Sequence, residues 1–386
     1  MRIYAQSAQI LQIPKWTKPA DKQNQNSRSW RRSMEAAFGM CHIMRPRSAA
    51  LPEKGKLSSL VMGLPVANLP ERVSVIIPAY NAARFIGETL DSILATKTGP
   101  ALEIEIVVVN DGSPDTPALE AALEPYRGRI QYIAQPNRGP SAARNTGIDA
   151  ATGDLIAFLD ADDLWEPDLL HVQHAILQQG FDLAWGNAVF FGDGDWDGKF
   201  YMDLTPHPAG ESGEATLTDL LARRAVINTS TLLVRRDALD RGGRFPDQFR
   251  HNEDLHLWFR IVQRGARAHW TRRVLARFRR HAGGNLTDNR LAMWDQLAVV
   301  LADLEQALPY TTAERAASAS TRYMAEAHYA LERGRTALLS GDDATAATLL
   351  TQAAAYFQTP KLRLIALGAK LAPGLVRAAG RRLGRL

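Results

Sequence analysis

The 386-residue sequence is poor in cysteine, since Cys41 stands alone. A single thiol cannot form an intramolecular disulfide, and a structural zinc site would need more than one thiolate. The sequence also lacks any run of about 18 apolar residues, the length that predicts a transmembrane helix. These absences predict a cytoplasmic protein with at most peripheral membrane contact. The tripeptide Asn228-Thr-Ser230 matches a glycosylation acceptor pattern, which we take as a chance match in such a protein.

Acidic residues are scarce at both ends of the chain. Residues 1–70 hold 11 basic and 3 acidic side chains, and residues 361–386 hold 7 basic side chains and no acidic one. Residues 71–360 carry 28 basic against 38 acidic side chains, a net charge of −10 that the overall +5 conceals. The overall positive charge therefore reflects two basic tails and not a basic folded face, which is the usual footprint of a nucleic-acid-binding domain. We therefore expect no nucleic-acid partner.

The two basic ends differ in pattern. Residues 1–70 mix Gln, Asn, Ser, Lys, Arg and Pro without helical or strand periodicity, which predicts a disordered extension. A second interpretation is that residues 1–61 are not made in the cell and that the chain starts at Met62. Residues 361–386 alternate apolar residues with cations and predict a basic amphipathic tail. This tail fits either a helix on an anionic membrane or a solvated helical end.

Between these ends, strands alternate with helices. Apolar runs bounded by turn residues predict the strands Val73–Ile77, Ile104–Val109, Ile130–Ala134, Leu155–Leu159 and Thr231–Val234. Helical periodicity predicts the helices Ala82–Leu94, Ala118–Leu123, Ser141–Ala151, Pro167–Gln178 and Glu253–Gln263. This alternation is typical of an α/β fold with a mostly parallel sheet. From Leu291 the composition predicts an all-helical segment up to residue 360, in which Tyr329–Ala355 resembles one tetratricopeptide-type hairpin.

Polar residues follow the first two predicted strands. Pro78-Ala-Tyr-Asn81 ends the first strand and Asp111-Gly-Ser113 ends the second. Ligands of open α/β sheets bind at the carboxyl ends of strands, where Asp111 can accept a hydrogen bond from a ring such as uracil. For Ser113 and Asp115 the structural interpretation is an N-cap and a first-turn anion. No Gly-x-Gly-x-x-Gly segment follows the first strand, which disfavours a dinucleotide site.

Three carboxylates crowd the end of the fourth predicted strand. Asp160, Asp162 and Asp163 repel one another unless a cation neutralises them. Mg²⁺ and Mn²⁺ use one or two carboxylates together with phosphate oxygens and water, which suits so short a turn. The alternative is an acidic turn that caps the following helix.

These segments, with Gly139-Pro-Ser-Ala-Ala-Arg-Asn145, resemble glycosyltransferase family 2, whose members are inverting enzymes with the GT-A fold. The resemblance implies a GT-A domain over residues 71–290, with the helical segment 291–360 and the tail 361–386 outside it. It implies that the nucleotide and its diphosphate contact Pro78, Ala79, Tyr80, Asn81, Asp111, Arg144, Asp160 and Arg280. It also implies that Mn²⁺ or Mg²⁺ is bound by Asp162, Asp160 and His281.

Asn252-Glu-Asp-Leu-His resembles the family segment that supplies the catalytic base, which implies this role for Asp254 with Glu253 as its neighbour. Two acids at a helix N-terminus are also what the helix dipole favours, so a simple cap is the alternative. Arg279-Arg-His-Ala-Gly-Gly-Asn285 resembles the family segment that faces the diphosphate or the metal. Within it, His281 is the stronger candidate and Arg280 the weaker one.

The expected function is inverting transfer of a sugar from a nucleoside diphosphate sugar, with UDP favoured, to an acceptor hydroxyl. The family implies a glycan or lipid-linked acceptor in surface polysaccharide or glycolipid biosynthesis, at the inner face of the cell membrane. Asp254 would take the hydroxyl proton, while cations neutralise the departing diphosphate. One alternative is an inactive module that binds a sugar nucleotide or glycan, although such a module has no need of repelling acids. A sugar-nucleotide pyrophosphorylase is a weaker alternative, because its Gly-rich loop is missing.

Overall fold

The computed structural model describes residues 72–98, 102–194, 196–205, 207–281 and 289–383. Its strands are β1 (Arg72–Ala79), β2 (Glu103–Asp111), β3 (Gln131–Gln135), β4 (Leu155–Phe158), β5 (Leu164–Trp165), β6 (Leu183–Gly192), β7 (Ser212–Ala215), β8 (Leu233–Arg235) and β9 (Ala268–Arg280). The first helices are α1 (Ile86–Leu94), α2 (Thr116–Leu123), α3 (Pro140–Ala150), α4 (Leu169–Leu177), α5 (Tyr201–Leu204), α6 (Leu217–Leu221), α7 (Arg236–Gly242) and α8 (Glu253–Gln263). The later helices are α9 (Arg290–Ala307), α10 (Thr312–Ser340), α11 (Asp343–Phe357), α12 (Pro360–Leu371) and α13 (Pro373–Leu383). The expectations for residues 1–70, including a start at Met62, lie outside the described residues.

The strands form one mixed sheet in the order β3-β2-β1-β4-β8-β6-β9-β5, and β7 pairs with β9. β1 is parallel to β2 and β4, β2 is parallel to β3, and β6 is parallel to β9. β8 runs antiparallel between β4 and β6, so β6 and β9 point the same way as β1–β4. We call the side on which Ala79, Asp111, Phe158, Gly192 and Arg280 end their strands the carboxyl edge. Ligands of such sheets bind at this side.

The first four predicted strands and the helices between them are confirmed, with shifted ends. The largest shift is in α1, which begins at Ile86 rather than Ala82. Asn81 has a left-handed backbone (φ 53°), and the N–H of Ala83 donates to the Asp115 carboxylate, so the segment before Ile86 forms a turn. The strand predicted from Thr231 begins at Leu233, because Thr229–Thr231 forms a 3₁₀ turn.

Apolar residues cover both faces of the sheet. In β1, Val75 and Ile77 pack on one face with α1 and α4, whereas Ile76 faces the opposite side, as the two-residue period of a strand requires. That opposite core includes three buried tryptophans, Trp185, Trp258 and Trp270. It continues into the helical region through Leu297, Val300, Leu301 and Leu304 of α9 and Ala325 of α10. The expected domain boundary at residue 290 is where α9 begins, but the core extends beyond it.

A separate core lies further along the helical region. We call it the C-terminal cluster, and its buried members are Ala330, Ala337, Leu338, Ala346, Leu350, Ala353, Ala354, Leu362, Ala366 and Ala369. A turn lies within the predicted hairpin Tyr329–Ala355: Gly341 (φ 90°) ends α10, and Asp342 caps α11 through the N–H of Thr345. However, α10 has 29 residues, so it is longer than the first helix of the predicted hairpin. No helix among the described residues is long and apolar enough to cross a membrane.

Candidate functional site

The turn after β1 is held by the segment that follows β2. The N–H of Asn81 donates to Ser113 Oγ at 2.7 Å, and the N–H of Ala83 donates to Asp115 Oδ2 at 3.0 Å. Ser113 also contacts the Asp115 carboxylate. The expected N-cap role is therefore wrong for Ser113: Asp115 occupies the N-cap position of α2, one residue before the first turn where an anion was expected, and its side chain makes no capping hydrogen bond there. The turn leaves Tyr80 exposed at the carboxyl edge.

Asp111 is buried and organises the loop that leads into α3. Its Oδ1 accepts hydrogen bonds from Gln135 Nε2 (2.7 Å) and from the N–H of Arg138 (3.0 Å). Its Oδ2 accepts from the N–H of Gly139 at 2.7 Å. A Cβ at Gly112 would lie 2.5 Å from the Asn137 nitrogen, so only glycine permits this close approach. The carboxylate thus has three partners within the chain, and its role toward a base stays a prediction.

Arg144 joins residues from two distant parts of the chain. From α3, its buried guanidinium donates to Glu253 Oε1 at 2.8 Å and to Asp160 Oδ1 at 2.9 Å. Burial lowers the pKa of Arg144, but the charges of Asp160, Glu253 and Asp254 outweigh burial and raise it. The cation is therefore permanently charged and keeps the end of β4 beside the start of α8.

The two acids at the start of α8 differ in their surroundings. Burial raises the pKa of Glu253 to about 7, with a further increase from the charge of Asp254 and opposition from Arg144. Among the described residues, no cation forms an ion pair with Asp254: its Oδ2 accepts a hydrogen bond from Thr229 Oγ1 at 2.8 Å, and its Oδ1 accepts one from the N–H of Leu255 at 2.7 Å. Trp258 Nε1 donates to the same hydroxyl at 3.2 Å and so orients it. The position of Asp254 is thus fixed by uncharged donors, whereas Glu253 is held by Arg144.

The turn after β4 that contains Asp160, Asp162 and Asp163, which we call the acidic turn, is held by hydrogen bonds from other segments. Asp163 is buried, and its carboxylate accepts from Ser230 Oγ and from the N–H of Arg279, both at 3.0 Å. Thr89 Oγ1 donates to the carbonyl oxygens of Ala161 (3.0 Å) and Asp163 (2.9 Å). Burial raises the pKa of Asp163 well above its usual range, with the charges of Asp162 and Asp160 adding to it. These bonds hold the turn in shape despite the repulsion.

Asp162 and His281 together fit a divalent cation. Asp162 Oδ2 lies 3.4 Å from His281 Nε2, and His281 Nδ1 is buried without a hydrogen-bond partner. Burial raises the pKa of Asp162, as does the charge of Asp160, while His281 lowers it. No group of three or more His, Cys, Asp or Glu side chains in the described ranges is arranged as a metal cage. A cation here would therefore take further ligands from phosphate and water, as Mg²⁺ and Mn²⁺ commonly do.

Arg279 is a site residue that the sequence did not reveal. Its guanidinium carbon lies 4.8 Å from the ring centroid of Phe85 and 4.5 Å from that of Phe191. Its Nε donates to the carbonyl oxygen of Asp162 at 2.8 Å, which holds the acidic turn from the end of β9. Its neighbour Arg280 lies instead 5.6 Å from the ring centroid of Trp196. The end of β9 thus brings Arg279 to the acidic turn, and the next residue after β9, His281, lies beside Asp162.

Thr229 and Ser230 were also missed, because their tripeptide matched a glycosylation pattern by chance. Both are buried in the 3₁₀ turn before β8. Ser230 supports Asp163, and Thr229 supports Asp254, so this turn connects the acidic turn with the start of α8. The available signal was a polar run directly before an apolar strand, since buried hydroxyls need hydrogen-bond partners.

The predicted site residues fall into three groups. One group is brought together by direct contacts or by the shared Arg144: Arg144, Asp160, Asp162, Glu253, Asp254 and His281. A second group lies at the end of β1 and in the turn after it: Pro78, Ala79, Tyr80 and Asn81. Asp111 and Arg280 make their contacts elsewhere along the carboxyl edge. The first group combines four carboxylates and an imidazole with a buried guanidinium, and a cation beside them would suit displacement of an anionic leaving group.

Comparisons with known proteins identify relatives of this chain. The model of the family described as Glycosyl transferase family 2 matches residues 74–241, which include Arg144 and the acidic turn but end before α8. An uncharacterised glycosyltransferase of Rickettsia bellii is 31% identical over 213 residues, 54% of this chain but only 30% of that protein. One from Rickettsia prowazekii is 30% identical over 233 residues, 58% of this chain and 70% of the relative.

A solved structure has a similar fold. TarS residues 1–349 from S. aureus, in complex with UDP-GlcNAc, match with a TM-score of 0.50 and 17% identity. The match covers 81% of this chain and 92% of the TarS chain, and it therefore includes part of the helical region as well as the sheet. At this level of identity the likeness concerns the fold alone.

Proposed function

This chain belongs to glycosyl transferase family 2 and has the GT-A fold, and on that premise we propose that it is an inverting, metal-dependent transferase. The proposed donor is a nucleoside diphosphate sugar, with UDP as the nucleotide. One observation carries the proposal: Arg144 engages Glu253 and Asp160, whereas the donors to Asp254 within the described residues are uncharged, namely the Thr229 hydroxyl and the N–H of Leu255. The start of α8 thus contains one acid committed to the structure and one available for chemistry.

The chemistry follows from the roles of these side chains. Asp254 accepts the proton of the acceptor hydroxyl as that oxygen attacks the anomeric carbon. The Thr229 hydroxyl keeps the carboxylate oriented during the attack. Attack from the face opposite the leaving group inverts the configuration in a single displacement. Mn²⁺ or Mg²⁺, when bound at Asp162 and His281, would neutralise charge on the leaving diphosphate.

The nucleotide preference rests on the turn after β1. Tyr80 is 51% exposed at the carboxyl edge, so its ring is free to stack on a base. TarS binds UDP-GlcNAc, which makes UDP-sugars the first donors to test. Arg144, Asp160 and Arg280 are proposed to act on the ribose and diphosphate side of the donor.

The proposed acceptor is a glycan or a lipid-linked sugar used in surface polysaccharide or glycolipid biosynthesis. Such acceptors are assembled at the inner face of the cell membrane, where we propose that this protein works. The excess of cations in residues 361–386 supports this location, because anionic lipids attract Lys and Arg. No role for nucleic acid is proposed.

The test is release of nucleoside diphosphate from a panel of sugar nucleotides, with Mn²⁺, with Mg²⁺ and with chelator. We expect metal-dependent release by the wild type, a loss of about 10²–10⁴-fold in Asp254→Asn, and a comparable loss in Asp162→Ala. Asp295→Asn, an exposed acid on α9, is the matched control and should keep wild-type turnover.

Other outcomes would reject the proposal in different ways. If Asp254→Asn turns over like the wild type, Asp254 is not the base. If calorimetry shows nucleotide binding while every donor stays intact in the presence of candidate acceptors, the protein is a binding module rather than an enzyme.

A further inference from the structure

Helix α12 has two different apolar faces. One face packs into the C-terminal cluster through Leu362, Ala366 and Ala369, all of which are buried. The other face carries Leu364, Leu367 and Leu371, spaced by three and four residues, so that they form one row along the helix. Leu375 adds a fourth exposed leucine at the start of α13. We call Leu364, Leu367, Leu371 and Leu375 the leucine row.

The leucine row is unusually open for large apolar side chains. Its members are 70%, 53%, 72% and 74% exposed, in chain order. Scattered exposed leucines are normal on a protein surface, but a contiguous apolar surface is typical of an interaction site. The packed face of α12 is buried against α11. The leucine row is therefore a second apolar surface, and no helix among the described residues covers it.

Cations flank the leucine row on both sides. By helical geometry, Lys361 lies on one side of the row, and Arg363 and Lys370 lie on the other. All three are exposed, and none forms an ion pair with a residue in the described part of the chain. The chain contains no acidic residue after Asp343, which itself pairs with Arg377. An apolar stripe with cations along its borders is complementary to a surface with anionic headgroups above acyl chains.

The glycine and proline of this region do not disrupt the row. Pro373 is the first residue of α13, where its missing N–H leaves no helical hydrogen bond unmade. A Cβ at Gly368 would lie 2.6 Å from Val376 Cγ2, so this glycine lets α13 pack closely on α12. Gly368 and Pro373 thus help to place α12 and α13 side by side.

We propose that the leucine row docks this protein on an anionic lipid bilayer, with the leucines among the acyl chains and Lys361, Arg363 and Lys370 at the headgroups. The charge complementarity of this surface selects lipid over a second copy of the chain, because two such rows would bring like charges together. The docking complements the proposed sugar transfer but does not require it. Vesicle binding and diphosphate release can therefore fail independently.

The test is flotation of the full chain with vesicles of phosphatidylcholine alone and of equal parts phosphatidylcholine and phosphatidylglycerol. We expect the wild type to float with the anionic vesicles and to lose this binding as salt rises. The double variant Leu364→Ser with Leu371→Ser should bind them at least about tenfold more weakly, because two leucine side chains that would insert among the acyl chains are lost. Val299→Ser with Leu339→Ser, which changes two other exposed apolar residues of α9 and α10, is the matched control.

A second pair of variants tests the charges. Lys361→Gln, Arg363→Gln and Lys370→Gln together should remove the preference for anionic vesicles. Arg129→Gln, Arg315→Gln and Arg333→Gln remove the same charge from exposed sites elsewhere and should keep the preference. The proposal is overturned if the leucine variant floats like the wild type, which would assign membrane binding to another part of the chain. It is also overturned if that variant changes the oligomeric state in light scattering but not the flotation.

Discussion

The carboxyl edge and the C-terminal cluster are built from opposite kinds of side chain. At the carboxyl edge, buried or half-buried charges are held by named partners, such as Arg144 with Glu253 and Asp163 with Ser230. The C-terminal cluster consists of alanine and leucine that share no polar contact. Charged partners are specific in geometry, whereas apolar neighbours of similar volume can replace one another. The difference indicates that specific ion pairs and hydrogen bonds hold the carboxyl edge in place, whereas only apolar packing holds the C-terminal cluster together.

Removing Arg144, the cation shared by Glu253 and Asp160, should have the largest effect on stability and on activity. Arg144→Met would leave the buried Glu253 without its ion-pair partner, which typically costs about 3–5 kcal/mol in the free energy of unfolding. We expect this loss in urea unfolding, together with loss of diphosphate release. Arg224→Met removes an exposed pair with Asp219 and should cost less than about 1 kcal/mol. Equal unfolding curves for Arg144→Met and the wild type would contradict the role assigned to this cation.

Substitutions that create a cavity should show whether the two apolar cores unfold independently. Leu301 and Leu350 are both fully buried, the first in the core beneath the sheet and the second in the C-terminal cluster. Each change to Ala is expected to cost about 2–5 kcal/mol locally. Hydrogen exchange should then accelerate across the sheet in Leu301→Ala, but in Leu350→Ala only in α11–α13 and in the end of α10 that joins the C-terminal cluster. Acceleration of the sheet amides by Leu350→Ala would show that the two cores unfold together.

The pH dependence of stability offers a smaller test. Burial lowers the pKa of His256, despite its bond to Asp303, so the folded state favours the neutral ring. Its contribution to stability is present above the unfolded pKa of about 6.5 and is lost as pH falls toward the folded pKa. When the pH is lowered from about 7.5 to about 5.5, the Tm of the wild type should therefore fall further than the Tm of His256→Gln. Groups common to both proteins cancel in this comparison, so parallel Tm curves would contradict it.

The smallest effect is expected where α12 meets α13. In Gly368→Ala the new methyl group would lie 2.6 Å from Val376 Cγ2, so α13 must move. Because α13 contributes no buried residue to the C-terminal cluster among the described residues, the free energy of unfolding should change by no more than about 0.5 kcal/mol. Limited proteolysis should nevertheless cut α13 faster. Gly374→Ala, where a Cβ meets nothing within 4 Å, should be cut like the wild type.

Local patterns predicted the parallel half of the sheet because each strand and helix there has its own period and turn residues. Glu253–Gln263 was predicted with its observed bounds for the same reason. Contacts between segments could not be found this way. Some of these contacts join separate loops at the carboxyl edge, and they depend on how the loops align there. Examples are the hydrogen bonds that Ser113 and Asp115 accept from the turn after β1, and the hydrogen bond from Arg279 to the carbonyl oxygen of Asp162. The extension of the sheet core into α9 likewise depends on packing rather than on sequence period.

The bond between Arg144 and Glu253 also sets an order of events during protein synthesis. The two residues are 109 positions apart, whereas Asp160 follows Arg144 by only 16. At about 5–20 residues per second, a ribosome reaches Glu253 about 5–20 s after Arg144. In that interval the guanidinium can have only Asp160 of its two final partners. The nascent chain can thus form the pair of Arg144 with Asp160 early, but it gains Glu253, and with it the proposed base Asp254, only when α8 emerges.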